Sequence, residues 1–278
     1  MTRLERFFDS SYTVDVDKLA LLKRRLSAAS SQILDFGCGA EKFEQANTLQ
    51  AKCEVKIEGE KKVITYRFIS VPPDEDLHIL ASSCVHHLRS VCDNIVVALG
   101  EKYSLNNWEQ LAFPNFLKSS DFDKWKAKNS GFSSDLLDAF ASLQPTEVVD
   151  SPFGSLSNSI HPMQLLSILN NHDKHRMLIV CGVQPTSMLA IVKNGLKSGM
   201  HFSAGFGNRL LNDGDELAVL KMPMQYSDDD FHGIKISPKL VVDDQDIPLY
   251  VREAYPLLAY LRHFVEEDVV NMLSPFFS

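Results

Sequence analysis

Apolar positions recur every three to four residues over long stretches of the chain and alternate one-in-two over short ones, and each rhythm predicts its own element. From Asp15 to Phe36, the residues Leu19, Leu22, Leu26, Ala29 and Ile33 form a helical stripe, with Lys18, Lys23, Arg24 and Arg25 mostly away from it. The run then meets Gly37 and Gly39, which read as a cap that ends the helix. Alternation follows in Cys53-Glu54-Val55-Lys56-Ile57 and in Val63-Ile64-Thr65-Tyr66-Arg67-Phe68-Ile69, with Gly59 between them. This predicts a β-hairpin over about 52–70. After Pro72-Pro73-Asp74 comes the clearest helix, from Glu75 to Leu99, with Leu77, Ala81, Cys84, Leu88, Cys92, Ile95 and Leu99 on one stripe.

Residues 102–132 are mixed in pattern and read as loop with short helices, followed by a helix near Asp135–Leu143 that Gln144-Pro145 closes. Ser, Pro, Asn and Gly then dominate to His161, which reads as a long loop. Pro162 suits the first turn of a helix reaching Arg176. Beyond it Met177–Val183, Met188–Val192, Met200–Phe206, Glu216–Met222 and Gly233–Val242 are short and β-like. A last helix runs from Tyr250 to Leu273, burying Leu257, Leu261, Phe264, Val265 and Met272. The predicted class is α+β: a helical region over 1–176 that carries the hairpin, then a mainly antiparallel, β-rich region over 177–278 closed by a C-terminal helix, together one compact unit.

Composition narrows the function classes. A net charge of −8 argues against a surface that grips phosphate backbones throughout, while leaving room for a local basic patch. Cys38, Cys53, Cys84, Cys92 and Cys181 show no CxxC spacing, and Cys84 and Cys92 fall on an apolar stripe. The expected setting is reducing and cytoplasmic, with no metal centre. The N-terminus lacks the apolar core of a signal peptide, and no uncharged run approaches the roughly 18 residues that span a bilayer.

Two polar strings interrupt the hydrophobic rhythm: Leu88-Arg89-Ser90-Val91-Cys92-Asp93-Asn94, and Asn171-His172-Asp173-Lys174-His175-Arg176. Arg89 and Asp93 are one helical turn apart and can pair, with His86 on the same edge a turn earlier. Leu165, Leu166 and Leu169 define a buried face whose continuation lands on His172, Asp173 and Arg176, where charge is costly without partners. Asp173 and Arg176 can pair in turn, and His175 on another flank can serve as donor, base or C-terminal charge. Arg89, Asp93, Asp173, His175 and Arg176 are therefore expected to converge between two packed helices. Arg89, Asp93 and His175 are the candidate catalytic groups, and His86, Asn94, Asp173, Lys174 and Arg176 the candidate binding groups.

The pieces His87–Asn94, Leu143-Gln144-Pro145, His161-Pro162 and Asn171–Arg176 together resemble an uncharacterised group of bacterial proteins, whose helices read close to "LRSALDH" and "NxDKHR". That resemblance implies architecture rather than a reaction. A more distant likeness is to HEPN helical bundles, whose RNA-cleaving signature is an arginine followed after four residues by a histidine. Here the histidine position is Asn94, and an amide cannot act as the acid or base. The likeness implies a degenerate, RNA-associated or ligand-binding or scaffold role, with RNA, a protein or a second copy of the chain as the partners left open.

A competing local match is Ile33-Leu34-Asp35-Phe36-Gly37-Cys38-Gly39-Ala40-Glu41, similar to the first motif of class I methyltransferases, with Glu58 placed for ribose hydroxyls. It implies S-adenosylmethionine as cofactor, where the main reading implies none. Glu41 stands where that motif has a third glycine, and the stretch before Asp35 continues a helical stripe. Gly205-Phe206-Gly207-Asn208 reads as a turn, and the aspartates at 228–230 and 243–246 as solvated loops without a full calcium-ligand set.

Overall fold

The structure, a computed structural model, describes residues 18–46, 51–145, 160–176, 182–192, 201–204, 211–226, 231–242, 246–247 and 251–277. At 172–176, 182–192, 204 and 231–238 the description is of backbone alone. The fold is α+β. In chain order come α1 (Lys18–Ala46), β1 (Ala51–Glu58), β2 (Lys61–Phe68), α2 (Glu75–Lys102), α3 (Ser119–Lys128), α4 (Ser134–Ser142), α5 (Pro162–Arg176), β3 (Gly182–Val192), β4 (His201–Ala204), β5 (Glu216–Pro223), β6 (Phe231–Val241), α6 (Ala254–Phe264) and α7 (Asn271–Leu273).

Helix α2 is the hub. Asp74 caps it by accepting the Asp76 N–H, Glu75 and Asp76 complement the positive end, and Lys102 the negative end. Its buried residues include Leu77, Ala81, Cys84, Leu88, Cys92, Ile95 and Leu99, widened by Val85, Val91 and Val96. That width exceeds a single stripe because α1, α5 and α6 all pack against it. Helix α1 contributes Leu22, Leu26, Ala29, Ile33, Phe36 and Ala40.

The expected helix end at Gly37 and Gly39 is corrected, because α1 runs straight through both to Ala46. Their role is close packing. A Cβ on Gly37 would sit 2.6 Å from Tyr255 Cε2, and one on Gly39 would sit 2.6 Å from Leu77 Cδ2. Helix-interior glycine costs about 1 kcal/mol in propensity, a local penalty that α6 and α2 offset by seating against the bare backbone. The same helix removes the local basis for the methyltransferase match, since residues 33–41 form no strand that feeds a glycine turn.

Strands order β1-β2-β5-β4 in one antiparallel sheet, so β2 of the early hairpin pairs directly with β5 from beyond residue 177. Ile64, Tyr66 and Phe68 on one face of β2 are buried with Ala218, Leu220 and Met222. A second, two-stranded sheet joins β3 and β6. Strand β3 passes through Pro185, which splits the expected strands 177–183 and 188–192; Pro185 lies opposite Pro238 and the register shifts just after it. Neither proline can donate to the ladder, and a two-stranded ribbon tolerates that where a central strand would not. Residues 177–181 lie outside the described residues. The last helix starts later than expected, at Ala254 after a bridge between Val241 and Glu253, and widens into π geometry over Val265–Val270 before α7.

Candidate functional site

One helical turn of α2 sets the site. Arg89 and Asp93 project from the same flank, and their side chains meet in a two-point pair: Nε donates to Oδ2 at 3.1 Å and Nη2 to Oδ1 at 2.8 Å. The Arg89 side chain is only 15% exposed, so its remaining donors also need partners. They find them off the helix, where Nη2 donates to the Phe113 carbonyl at 3.3 Å and Nη1 reaches Ser167 Oγ on α5 at 3.5 Å. Asp93 Oδ1 in turn accepts the Phe113 N–H at 2.9 Å. The ion pair thus holds both backbone groups of one loop residue.

The other end of that loop is held by Gln144, which is 1% exposed. Its Oε1 accepts the Phe116 N–H at 3.1 Å, and its Nε2 donates to the carbonyls of Pro114 at 3.2 Å and Phe140 at 2.9 Å. Between these anchors Asn115 Nδ2 donates to Ser167 Oγ. Phe113 packs edge-on against Phe140, inside a cluster with Trp125 and Phe132. Residues 113–116 thereby become the wall of a cleft of about 620 Å³, whose rim carries Trp125, Lys128, Asn129, Asn170 and Asn171. The volume is within the usual range for small-molecule sites.

Neighbouring groups with reactive side chains are held inert. Burial pushes the Cys84 and Cys92 thiols up to about 12, so neither supplies a thiolate. His161, at the head of α5, is drawn down to about 4 by burial and is neutral. Its Nδ1 accepts the Met163 N–H at 3.1 Å, which with Pro162 at the first helical position explains the His161-Pro162 start.

The sequence-derived candidates divide. Arg89 and Asp93 line the cleft, as does Asn171 from the second polar string. His86 is exposed on α2, its ring 6.2 Å from His87, and is not part of the lining. Asn94 faces another flank, donating to the Ser90 carbonyl at 2.6 Å and lining a separate hollow with Lys18, Leu22 and Arg25. Helix α5 continues through Asp173, Lys174, His175 and Arg176, but their side chains lie outside the described residues. So do the segments 205–210, 228–230 and 243–245. Sequence reasoning passed over Asn115, Phe116, Lys128, Asn129, Ser167 and Asn170. The available signal was a set of amides and hydroxyls ending apolar runs, and that marks a site only once the runs are packed together.

Among the described residues no cluster of three or more His, Cys, Asp or Glu forms that would hold a metal ion, and no helix is long and apolar enough to cross a membrane. In comparisons with family models, curated proteins and solved structures, nothing matches this chain.

Proposed function

We propose that this chain is a binding protein, distantly HEPN-like in its helical part, that takes a nucleotide unit of single-stranded RNA in the cleft beside Arg89 and Asp93 without cleaving it. The observation that carries the reading is the engagement of the Arg89–Asp93 pair in the cleft wall, on Phe113 and Ser167. A guanidinium fixed in this way organises a surface rather than stabilising a reaction. The position of the missing histidine, Asn94, faces away from the cleft and offers no acid or base to it.

What remains open to a ligand suits a nucleotide. The exposed Asn171 brings an amide edge of the kind that reads base edges, and the exposed Lys128 brings a cation for a phosphate. A net charge of −8 restricts the contact to a few phosphates at this one place. Cys38 is an exposed free thiol, which suits a reducing compartment.

Fluorescence anisotropy with a labelled single-stranded oligoribonucleotide tests the reading. Binding is expected to weaken about tenfold in Lys128→Ala and to lose roughly one unit of salt slope. The oligonucleotide is expected to come through intact. No binding at low salt overturns the proposal, and so does cleavage that disappears in Arg89→Ala.

A further inference from the structure

The two flanks of α2 carry different chemistry. Arg89 and Asp93 close on the Phe113 loop and α5, while Ser90, the next residue along, turns to α1. There the Ser90 Oγ accepts from Arg25 Nη1 and, at 3.0 Å, from Asn94 Nδ2, which also donates to the Ser90 carbonyl. Ser90 and Asn94 are thus the part of the first polar string that the cleft does not use, and together they hold the Arg25 side chain in place.

That arginine is a charge without an opposite. It is partly buried, and among the described residues its side chain bonds to Ser90 alone, with no carboxylate within ion-pairing distance. Lys18, the other cation at this seam, is already paired with Glu101. Burial first, then the charges of His86 and Arg25, hold the neighbouring His87 imidazole below its usual value. A guanidinium stays charged at any pH the fold meets and carries five N–H donors. One of them is engaged by Ser90, so the rest call for water or an anion.

What lies beside the guanidinium selects the anion. Arg25 and Asn94 close one end of a hollow of about 190 Å³ between α1 and α2, and the Lys18–Glu101 pair closes the other. The walls between are apolar: Leu21, Leu22, Val97 and Ala98. Leu22 and Ala98 are buried, and Leu21 is 43% exposed at the mouth. The space is that of about six water molecules, which suits a short chain and is too small for a nucleotide. An inorganic anion would leave the apolar walls wet, and an uncharged chain would leave Arg25 unmet. A carboxylate on a short unbranched chain answers both, because its two oxygens match the guanidinium fork and its methylenes cover the walls.

We infer that the seam between α1 and α2 is a binding site for a short-chain monocarboxylate, with the carboxylate on Arg25 and the chain along Leu22 and Val97. The site is separate from the cleft and does not depend on what the cleft binds.

Titration of the full, methyl-labelled chain with hexanoate, followed by NMR, tests it. Saturable shifts are expected at the Val97 and Ala98 methyls. Hexanol and hexylamine have the chain without the negative charge, and acetate has the charge without the chain; each is expected to bind about tenfold more weakly, or worse. Arg25→Gln keeps a donor and removes the charge, and is expected to weaken hexanoate about tenfold. Val97→Trp fills the hollow and is expected to remove binding with Arg25 intact. Hexanoate that leaves the Val97 and Ala98 methyls unmoved up to tens of millimolar overturns the inference. So does binding that hexanol equals, or that Arg25→Gln leaves unchanged.

Discussion

The Asp93 carboxylate accepts the Phe113 backbone N–H at 2.9 Å while its other contacts hold Arg89, so a helix surface pair doubles as the fastening of a distant loop. A pair of this spacing on an exposed helix is worth only about 0.3–0.5 kcal/mol. Here the arginine is mostly buried and the loop amide has this carboxylate as its partner, so loss of either side chain strands a polar group.

Replacing Asp93 by Ala is accordingly expected to cost about 2–3 kcal/mol in urea unfolding, and Arg89→Ala a comparable amount. The double variant is expected to cost clearly less than the two together, because once one partner is gone the other's main contact is already lost. Simple additivity in that cycle would show that the two residues act independently.

Gln144→Leu keeps the volume and removes every hydrogen bond at the far anchor. Destabilisation of about 2–3 kcal/mol is expected, with the Phe116 N–H and the Pro114 carbonyl losing the Gln144 amide while the Phe140 carbonyl keeps the Leu143 N–H. Amide exchange reports it locally: the Phe116 N–H is expected to exchange faster, while amides in the middle of α1 keep their protection relative to global stability.

Alanine for glycine inside a helix ordinarily stabilises by up to about 1 kcal/mol. Gly39→Ala is expected to do the reverse, lowering stability by about 1–2 kcal/mol, because the new methyl would sit 2.6 Å from Cδ2 of Leu77, a buried side chain that must shift within the core. Thermal unfolding decides the sign, and a raised midpoint would show that α1 and α2 have slack at this crossing.

Burial draws His161 down from 6.5 to about 4, so between these values the unfolded chain binds a proton that the folded chain refuses. Stability is therefore full above about pH 6.5 and falls as pH drops toward 4, by roughly 3 kcal/mol from this residue. His78 and His87 are lowered for the same reason and add to the slope with the same sign. His161→Asn retains an acceptor for the Met163 N–H and is expected to flatten, not abolish, the dependence seen in denaturant titrations at pH 7 and pH 5.

Legibility followed the range of the interactions. The stripe from Leu77 to Leu99 and the helix from Pro162 to Arg176 were readable because their signals, periodicity, an aspartate cap and a first-turn proline, lie within a turn or two of where they act. Gly37 and Gly39 misled for the same reason: locally they look like a helix end, and the contacts that decide otherwise, with Tyr255 and Leu77, come from elsewhere in the chain. Arg89 and Asp93 stood out as charge on an apolar helix, whereas Asn115, Ser167 and Asn170 are ordinary polar residues until the loop folds back.

From the sequence by itself came the α+β class, the hairpin with its glycine turn and the central helix, because each is a matter of side chains within a few positions of one another. Tertiary structure alone decided that β2 would pair with β5, that α1 would pass through its glycines, and that an ion pair and a glutamine would draw residues 113–116 into a cleft wall. Those outcomes depend on shape and hydrogen-bond satisfaction between segments far apart in the chain, and no local pattern carries that information.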